Sequence, residues 1–143
     1  MSLDLGPLED AVSQLEESLA IYKREEARND AALQRQLRSA TIQAFEFTYE
    51  VTFKMLRRHL AETAASPATI EDMTFNEVIR EAFGKRLVCS DVTVWRKYRK
   101  NRGTTSHTYN EDKAQEIFEG AADFLQDVQY TLARLKEMNM SVD

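Results

Sequence analysis

The sequence predicts an all-α fold: an antiparallel up-and-down bundle of the four-helix type, with three long helices and one or two short ones. Apolar residues recur at three- and four-residue spacings along three long stretches, which is the repeat of a helix with one buried face. Only four glycines and two prolines occur in 143 residues, too few for the turns of an all-β chain. The length fits one domain, residues 1–143.

The first long helix is predicted to begin at Gly6-Pro7, because proline is well tolerated at the first helical position. Polar residues from Lys23 to Asp30 interrupt the apolar pattern and are expected to end this helix. The apolar positions that define it are Leu8, Val12, Leu15, Leu19 and Tyr22.

A second, longer helix is expected to stop before Ser66-Pro67, since the residue preceding proline disfavours the helical conformation. The width of its apolar stripe suggests that this helix contacts several neighbouring helices. The predicted central stripe is Leu33, Leu37, Ala40, Ala44, Phe47, Val51 and Met55. The residues that widen it are Ile42, Phe45, Leu56 and Leu60.

Two capping boxes are predicted in the second half of the chain, one from Thr74 to Glu77 and one from Thr108 to Glu111. The first opens a short helix that stops near Gly84. A further short helix is expected from Asp91 to about Tyr98, followed by a loop over residues 101–106. The last helix runs to the C-terminus on Ala114, Ile117, Phe118, Ala121, Leu125, Val128, Leu132 and Leu135.

The composition excludes several classes of protein. The single cysteine, Cys89, can form neither an internal disulfide nor a cysteine-based metal site, and it fits a reducing compartment. The N-terminus lacks the features of a signal peptide, and no apolar run reaches the roughly 18 residues of a membrane span. A cytoplasmic protein without a membrane segment is expected.

Residues 95–102 form the densest basic segment of a chain whose net charge is −5. Cations bind phosphate oxygens, and aromatic rings stack on bases. Trp95 and Tyr98 lie between the cations and could stack on a base, or could equally belong to the core with the cations solvated. The predicted nucleotide- or RNA-binding residues are Arg96, Lys97, Arg99, Lys100 and Asn101.

Arg102, His107 and Tyr109 follow at once in an Arg-x4-His-x-Tyr pattern. Arginine can neutralise a phosphate with a two-pronged hydrogen bond, and histidine can transfer a proton near neutral pH. These are the two groups that a metal-free ribonuclease needs. The alternative is that His107 merely caps or packs against the start of the last helix.

The remaining polar residues give weaker indications of a functional site. Glu46 and Glu50 lie one helical turn apart and are expected to be solvated or to pair with Arg57 and Arg58. His59 follows the two arginines and fits a surface cation cluster. No phosphate-binding loop, zinc spacing or nucleophile elbow is present, so neither a metal nor another cofactor is predicted.

The chain resembles the nucleotidyltransferase substrate-binding proteins, a branch of the HEPN superfamily close to the HepT toxins. Three stretches carry the resemblance: residues 45–56, residues 75–83, and residues 102–114 with the motif. Together with the helix order they cover essentially the whole chain. The resemblance implies a helical-bundle homodimer that works with a minimal nucleotidyltransferase.

The resemblance also implies roles for the motif residues. In the toxin branch of the family, the arginine and histidine form a metal-independent RNase site, often at the dimer seam. The partner acts as antitoxin by transferring AMP to the tyrosine. Those roles would fall to Arg102, His107 and Tyr109.

Position 103 departs from the family pattern, in which a polar residue usually follows the motif arginine. Gly103 offers no side-chain hydrogen bond and loosens the backbone. This favours a partner subunit that binds nucleotide or presents Tyr109 for AMP transfer. The alternative is a metal-independent RNase toxin of a toxin–antitoxin pair, with Arg102 and His107 as its catalytic residues.

Overall fold

A computed structural model describes residues 3–105 and 109–142, and the described residues contain helices and no strand. The predicted all-α fold is confirmed, with the three long helices and two short ones joined by two single-turn helices. In chain order the helices are α1 (Gly6–Tyr22), α2 (Glu25–Arg28), α3 (Ala31–Thr63), α4 (Pro67–Glu71), α5 (Phe75–Gly84), α6 (Val92–Gly103) and α7 (Glu111–Val142).

Helices α1, α3, α6 and α7 alternate in direction, as an up-and-down bundle requires. Two contacts show that α1 and α7 are antiparallel: Gln129 donates to Glu16 at 2.8 Å, and Lys136 pairs with Glu9 at 3.5 Å. Helix α3 returns along α1, where the Thr48 hydroxyl reaches the carbonyl oxygen of Ala11 at 3.2 Å. The smaller α5 lies in the connection between α3 and α6.

The buried face of α3 differs from the predicted central stripe. Phe47 and Leu33 are 51% and 38% exposed, whereas Phe45, Leu56 and Leu60 are fully buried. The core face also contains three buried threonines, Thr41, Thr48 and Thr52, whose hydroxyls bond carbonyl oxygens one turn earlier in α3. Because these hydroxyls are satisfied within their own helix, threonine fills core positions that an apolar count overlooks.

On α7 the predicted stripe is confirmed at five buried residues, but it omits Phe124. The five are Ala114, Ile117, Ala121, Val128 and Leu135. Phe124 is fully buried and packs edge-on against Phe45, with ring centroids 5.2 Å apart. Leu125, like Phe118 and Leu132 of the predicted stripe, is partly buried and packs against the core. The bundle core therefore depends on an aromatic contact between α3 and α7 at residue 124.

Helix boundaries agree with the sequence signals at most positions. The Thr74 hydroxyl accepts from the amide of Glu77 at 3.3 Å, which confirms Thr74 as the predicted cap. The Glu77 carboxylate accepts from the Thr74 hydroxyl at 3.1 Å, which differs from the backbone contact of the predicted box. Helix α6, capped by Asp91, runs on to Gly103, so part of the predicted loop is helical. Helix α7 begins at Glu111, and the Asn110 side chain accepts from the amide of Lys113 at 3.1 Å. This places the cap at Asn110; Thr108 lies outside the described residues.

None of the helices in the described part of the chain combines the length and the apolar character needed to span a bilayer.

Candidate functional site

The site is built on α6, which a buried carboxylate anchors to α7. Asp127 is 5% exposed and accepts hydrogen bonds from Ser90 Oγ and Cys89 Sγ, both at 2.7 Å, and from the Tyr98 hydroxyl. Burial and the hydrogen bond to Asp127 raise the pKa of Tyr98 far above its ordinary value, so the phenol stays a donor. The start of α6 and the loop before it are thereby held against α7.

The two aromatic side chains of the basic segment belong to the core. Trp95 is fully buried and Tyr98 is 4% exposed, and the two rings meet edge-on with centroids 5.4 Å apart. Neither ring is exposed enough for a nucleotide base to stack on it. Of the two alternatives for these residues, the structure shows the one in which they pack inside the bundle.

The five predicted nucleotide-binding residues do not form one surface. Lys97, Lys100 and Asn101 line a cavity of about 500 Å³ between α6 and α7, together with Glu116 and Asp123. Asn101 is 8% exposed, so it belongs to the wall of this cavity and not to the surface. The carboxylates offset the two lysine charges there.

Arg96 and Arg99 extend from the other side of α6, toward α5. The Arg96 Nε donates to the Asn76 side chain at 3.4 Å. The Arg99 guanidinium lies over the ring of Phe75, 4.8 Å from its centroid. The basic segment is thus divided between two faces of one helix.

Arg102, the motif arginine, reaches the middle of α3. Its Nε donates to Glu50 Oε1 at 3.1 Å, its Nη2 donates to the same oxygen, and Nη2 lies 3.4 Å from Glu46 Oε1. The hydrogen bond that Arg102 donates to Glu50 is the largest influence on the pKa of Arg102 and raises it, so the guanidinium stays charged. Two carboxylates one helical turn apart hold a single cation.

This arrangement corrects the expectation for the two glutamates. Glu46 and Glu50 pair with Arg102 and not with Arg57 or Arg58. Sequence reasoning missed the contact because 52 positions separate Glu50 from Arg102. The i, i+4 spacing of the two carboxylates indicated a shared face but did not identify the cation that it faces.

Tyr109 lies just before α7 with 85% of its surface exposed. The beginning of α7 is tied to α3, because Arg38 Nη2 donates to Glu111 Oε2 at 2.7 Å and Nη1 donates to Gln115 at 3.3 Å. The same arginine lowers the pKa of Glu111. Tyr109 is therefore presented from a fixed point of the bundle.

The motif histidine, His107, lies outside the described residues, so its prediction as a catalytic residue stays a prediction. The other histidine, His59, is only partly exposed, and burial lowers its pKa, which disfavours the predicted surface cation. Within residues 3–105 and 109–142, no cluster of histidine, cysteine and carboxylate side chains has the geometry of a metal site.

Comparisons with known proteins agree with this architecture. Residues 3–137 match the model of a family described as nucleotidyltransferase substrate binding protein like. A Haemophilus influenzae protein named probable ribonuclease HepT is 36% identical over 101 residues, which are 71% of this chain and 68% of that protein.

A solved structure from Haemophilus influenzae has a TM-score of 0.87 and 31% identity, over 93% of this chain and 99% of that one. Its description gives the fold of a substrate binding domain of a nucleotidyltransferase. The family match covers nearly the whole bundle, including α6 and Arg102. The chain belongs to the nucleotidyltransferase substrate-binding protein family.

Proposed function

We propose that this chain is the partner subunit of a minimal nucleotidyltransferase and that Tyr109 accepts AMP from it. The observation that carries the proposal is the 85% exposure of Tyr109 at the fixed start of α7. A phenol that accepts a bulky group must stand clear of the protein surface. The lone cysteine supports a cytoplasmic location, where thiols stay reduced.

The transfer follows ordinary nucleotidyl chemistry. The phenolic oxygen of Tyr109 attacks the α-phosphorus of ATP, a new phosphorus–oxygen bond forms, and pyrophosphate leaves. The phenolic proton passes to a base in the active site of the transferase. The product carries one adenylyl group on Tyr109, and with it one additional negative charge.

Intact-mass spectrometry after incubation with the transferase and ATP tests this proposal. We expect the wild type to gain the mass of one adenylyl group and Tyr109→Phe to gain none. Tyr130→Phe is the control, because the Tyr130 hydroxyl already donates to the Arg86 carbonyl oxygen at 3.1 Å. Equal labelling of Tyr109→Phe and wild type would exclude Tyr109 as the acceptor.

A second function, metal-independent RNA cleavage, is favoured by the environment of Arg102. Glu46 and Glu50 hold its guanidinium in place, and a relative is named a probable ribonuclease. In this reaction the 2′-oxygen attacks the adjacent phosphorus and the 5′-oxygen leaves, which yields a cyclic phosphate. His107 would transfer the proton, and Arg102 would neutralise the phosphate.

RNA cleavage in EDTA by unmodified protein tests the second function. We expect His107→Ala to abolish cleavage, while His59→Ala, the matched change at the other histidine, retains it. Equal loss in both variants would point to a structural effect, and cleavage that survives His107→Ala would exclude His107 as the catalytic residue. No cleavage by the wild type would mean that Gly103 marks a lapsed nuclease site.

A homodimer is also proposed, with an apolar strip of α3 at its seam that consists of Leu37, Ala40, Ala44 and Phe47. Phe47 is 51% exposed, and it borders Glu46 and Glu50, which hold Arg102. An apolar strip beside a polar site is typical of an interaction surface. We expect Phe47→Glu to convert a sedimenting dimer to a monomer. The control is Phe83→Glu, since Phe83 is 45% exposed on α5.

A further inference from the structure

A groove of about 360 Å³ lies on the outer surface of α3, next to Arg102 but separate from the motif loop. Three pairs of side chains, each one helical turn from the next, form it, and together they span ten residues, or about 14 Å of helix. Its lining residues are Tyr49, Glu50, Phe53, Lys54, Arg57 and Arg58. The sequence placed no binding site there.

The groove is positively charged at the end far from Arg102. Within the described part of the chain, Lys54, Arg57 and Arg58 form no ion pair with a carboxylate. Arg57 Nη2 donates only to the backbone carbonyl oxygen of Glu71, at 3.3 Å, and so keeps its charge. Three cations in succession create a local positive field on a protein of net charge −5.

The middle of the groove is aromatic. Phe53 is half-buried and stacks on Phe75 of α5 at 5.3 Å between centroids and 26° between planes. Arg99 covers Phe75 on the same surface. Tyr49 is 8% exposed, and burial raises its pKa to about 12, so the groove floor carries no negative phenolate.

We propose that this groove binds single-stranded RNA, with one base stacked on Phe53 and the flanking phosphates bound by Lys54, Arg57 and Arg58 at one end and by Arg99 and Arg102 at the other. Cations at both ends and an aromatic ring between them suit an internal nucleotide, which has a phosphate on either side. A mononucleotide carries phosphate on one side only. Duplex RNA keeps its bases stacked inside, where Phe53 cannot reach them.

The groove does not include Tyr109, so this inference stands apart from AMP transfer. It extends the second proposed function by adding a binding surface next to Arg102. For a strand entering from the groove, the Arg102 guanidinium would meet the phosphate next to the stacked base. Glu50 lines the groove and accepts a hydrogen bond from Arg102, so it connects the groove to that guanidinium.

Fluorescence anisotropy with a labelled single-stranded RNA of about ten nucleotides tests the proposal. His107→Ala serves as the parent protein, so that cleavage cannot consume the probe. The test variant carries Lys54→Gln, Arg57→Gln and Arg58→Gln. The control carries Lys23→Gln, Arg24→Gln and Arg28→Gln, which removes the same charge from exposed residues before the start of α3, a point roughly 35 Å from Lys54 along that helix.

We expect the test variant to bind at least tenfold more weakly than the parent, and the control to bind within about twofold of it. The slope of log affinity against log salt should fall in magnitude by about 2 in the test variant, because each phosphate contact on a single strand contributes roughly 0.7. Equal losses in both triple variants would show a nonspecific charge effect and overturn the proposal.

Phe53→Leu separates base stacking from charge, since it keeps an apolar side chain of similar size. We expect a loss of about fivefold to a hundredfold, the range for one stacked base, with helix content unchanged by circular dichroism. Unchanged affinity in Phe53→Leu, or tighter binding of duplex than of single-stranded RNA, would contradict the assignment.

Adenylation of the triple variant distinguishes the groove from Tyr109. Normal AMP transfer with weakened RNA binding supports a dedicated RNA groove. Weakened binding to the transferase with unchanged RNA affinity would overturn the proposal and assign the groove to the protein partner. If Tyr109→Phe is still labelled, Tyr109 is not the AMP acceptor, and the proposal of an RNA groove is unaffected.

Discussion

Arg102 donates two hydrogen bonds, from Nε and Nη2, to one carboxylate oxygen of Glu50. The contact joins the end of α6 to the middle of α3 and leaves Nη1 without a partner among the described carboxylates. The guanidinium is therefore oriented by its Nε edge while part of its donor capacity remains available to a phosphate. Glu50 is best understood as a positioning residue for Arg102.

Glu50→Ala should lower RNA cleavage by about tenfold to a hundredfold, because a displaced guanidinium no longer meets the phosphate correctly. The free energy of unfolding should change by less than about 1 kcal/mol, since the side chains of Arg102 and Glu50 are 30% and 53% exposed. Cleavage kinetics and urea unfolding measure the two effects. Glu62→Ala, on the exposed surface of α3, is the control; a matching loss there would remove the special role of Glu50.

Adjacent residues on α7 should differ sharply in their contribution to stability. Phe124→Ala should cost about 3–5 kcal/mol, because it opens a cavity between α3 and α7. Leu125→Ala should cost about 1–2 kcal/mol, since Leu125 is only partly buried. Urea unfolding gives both values. A larger cost at Leu125 than at Phe124 would mean that α7 is rotated from the orientation described.

Tyr98→Phe should destabilise the bundle by about 1.5–3 kcal/mol, the value of a hydrogen bond to a charged acceptor. The ring stays in the core, so only the bond to Asp127 is lost. Chemical unfolding measures the change. Tyr130→Phe is the comparison, because its exposed hydroxyl bonds a backbone carbonyl and should contribute less than about 1 kcal/mol.

Cys89 should react with iodoacetamide only at high pH. Partial burial, the hydrogen bond to Asp127 and the charge of that carboxylate raise the pKa of the thiol to about 11 from 9.0. Because the folded pKa is raised, the contribution of Cys89 to stability is present below pH 9 and is lost as the pH rises through 11.

As the only cysteine, Cys89 can be followed by mass spectrometry without interference. The alkylation rate should reach half its maximum near pH 11 in the wild type and at a lower pH in Asp127→Asn. A wild-type midpoint near 9 would show that Asp127 does not influence the thiol.

Local signals in the sequence predicted the helices well. Proline at position 7 and the Thr74 hydroxyl act within one turn of the chain, so their effects can be read without knowing the tertiary structure. The buried face of α3 could not be predicted from such local signals. Buried threonines such as Thr48 count as polar in a pattern, yet their hydroxyls are satisfied inside the helix.

The sequence predicted only some of the residues of the candidate site. Arg102 and Tyr109 were identified from the motif, but the carboxylates that hold Arg102 come from a helix that packs against it only after folding. The basic segment was identified as a unit, whereas α6 directs Lys97 and Arg99 to different neighbours. Side chains two positions apart on a helix point about 160° away from each other, so Lys97 and Arg99 belong to different surfaces.

Gly120 and Asn101 must vary together. A Cβ atom at position 120 would clash with Asn101 Nδ2, so an alanine there would require the Asn101 side chain, which lines the cavity between α6 and α7, to shift. Replacing both residues, as in Gly120→Ala with Asn101→Ala, should be milder than the sum of the single changes. In protein engineering, the residues chosen at positions 101 and 120 would together determine how far the side chain at position 101 projects into that cavity.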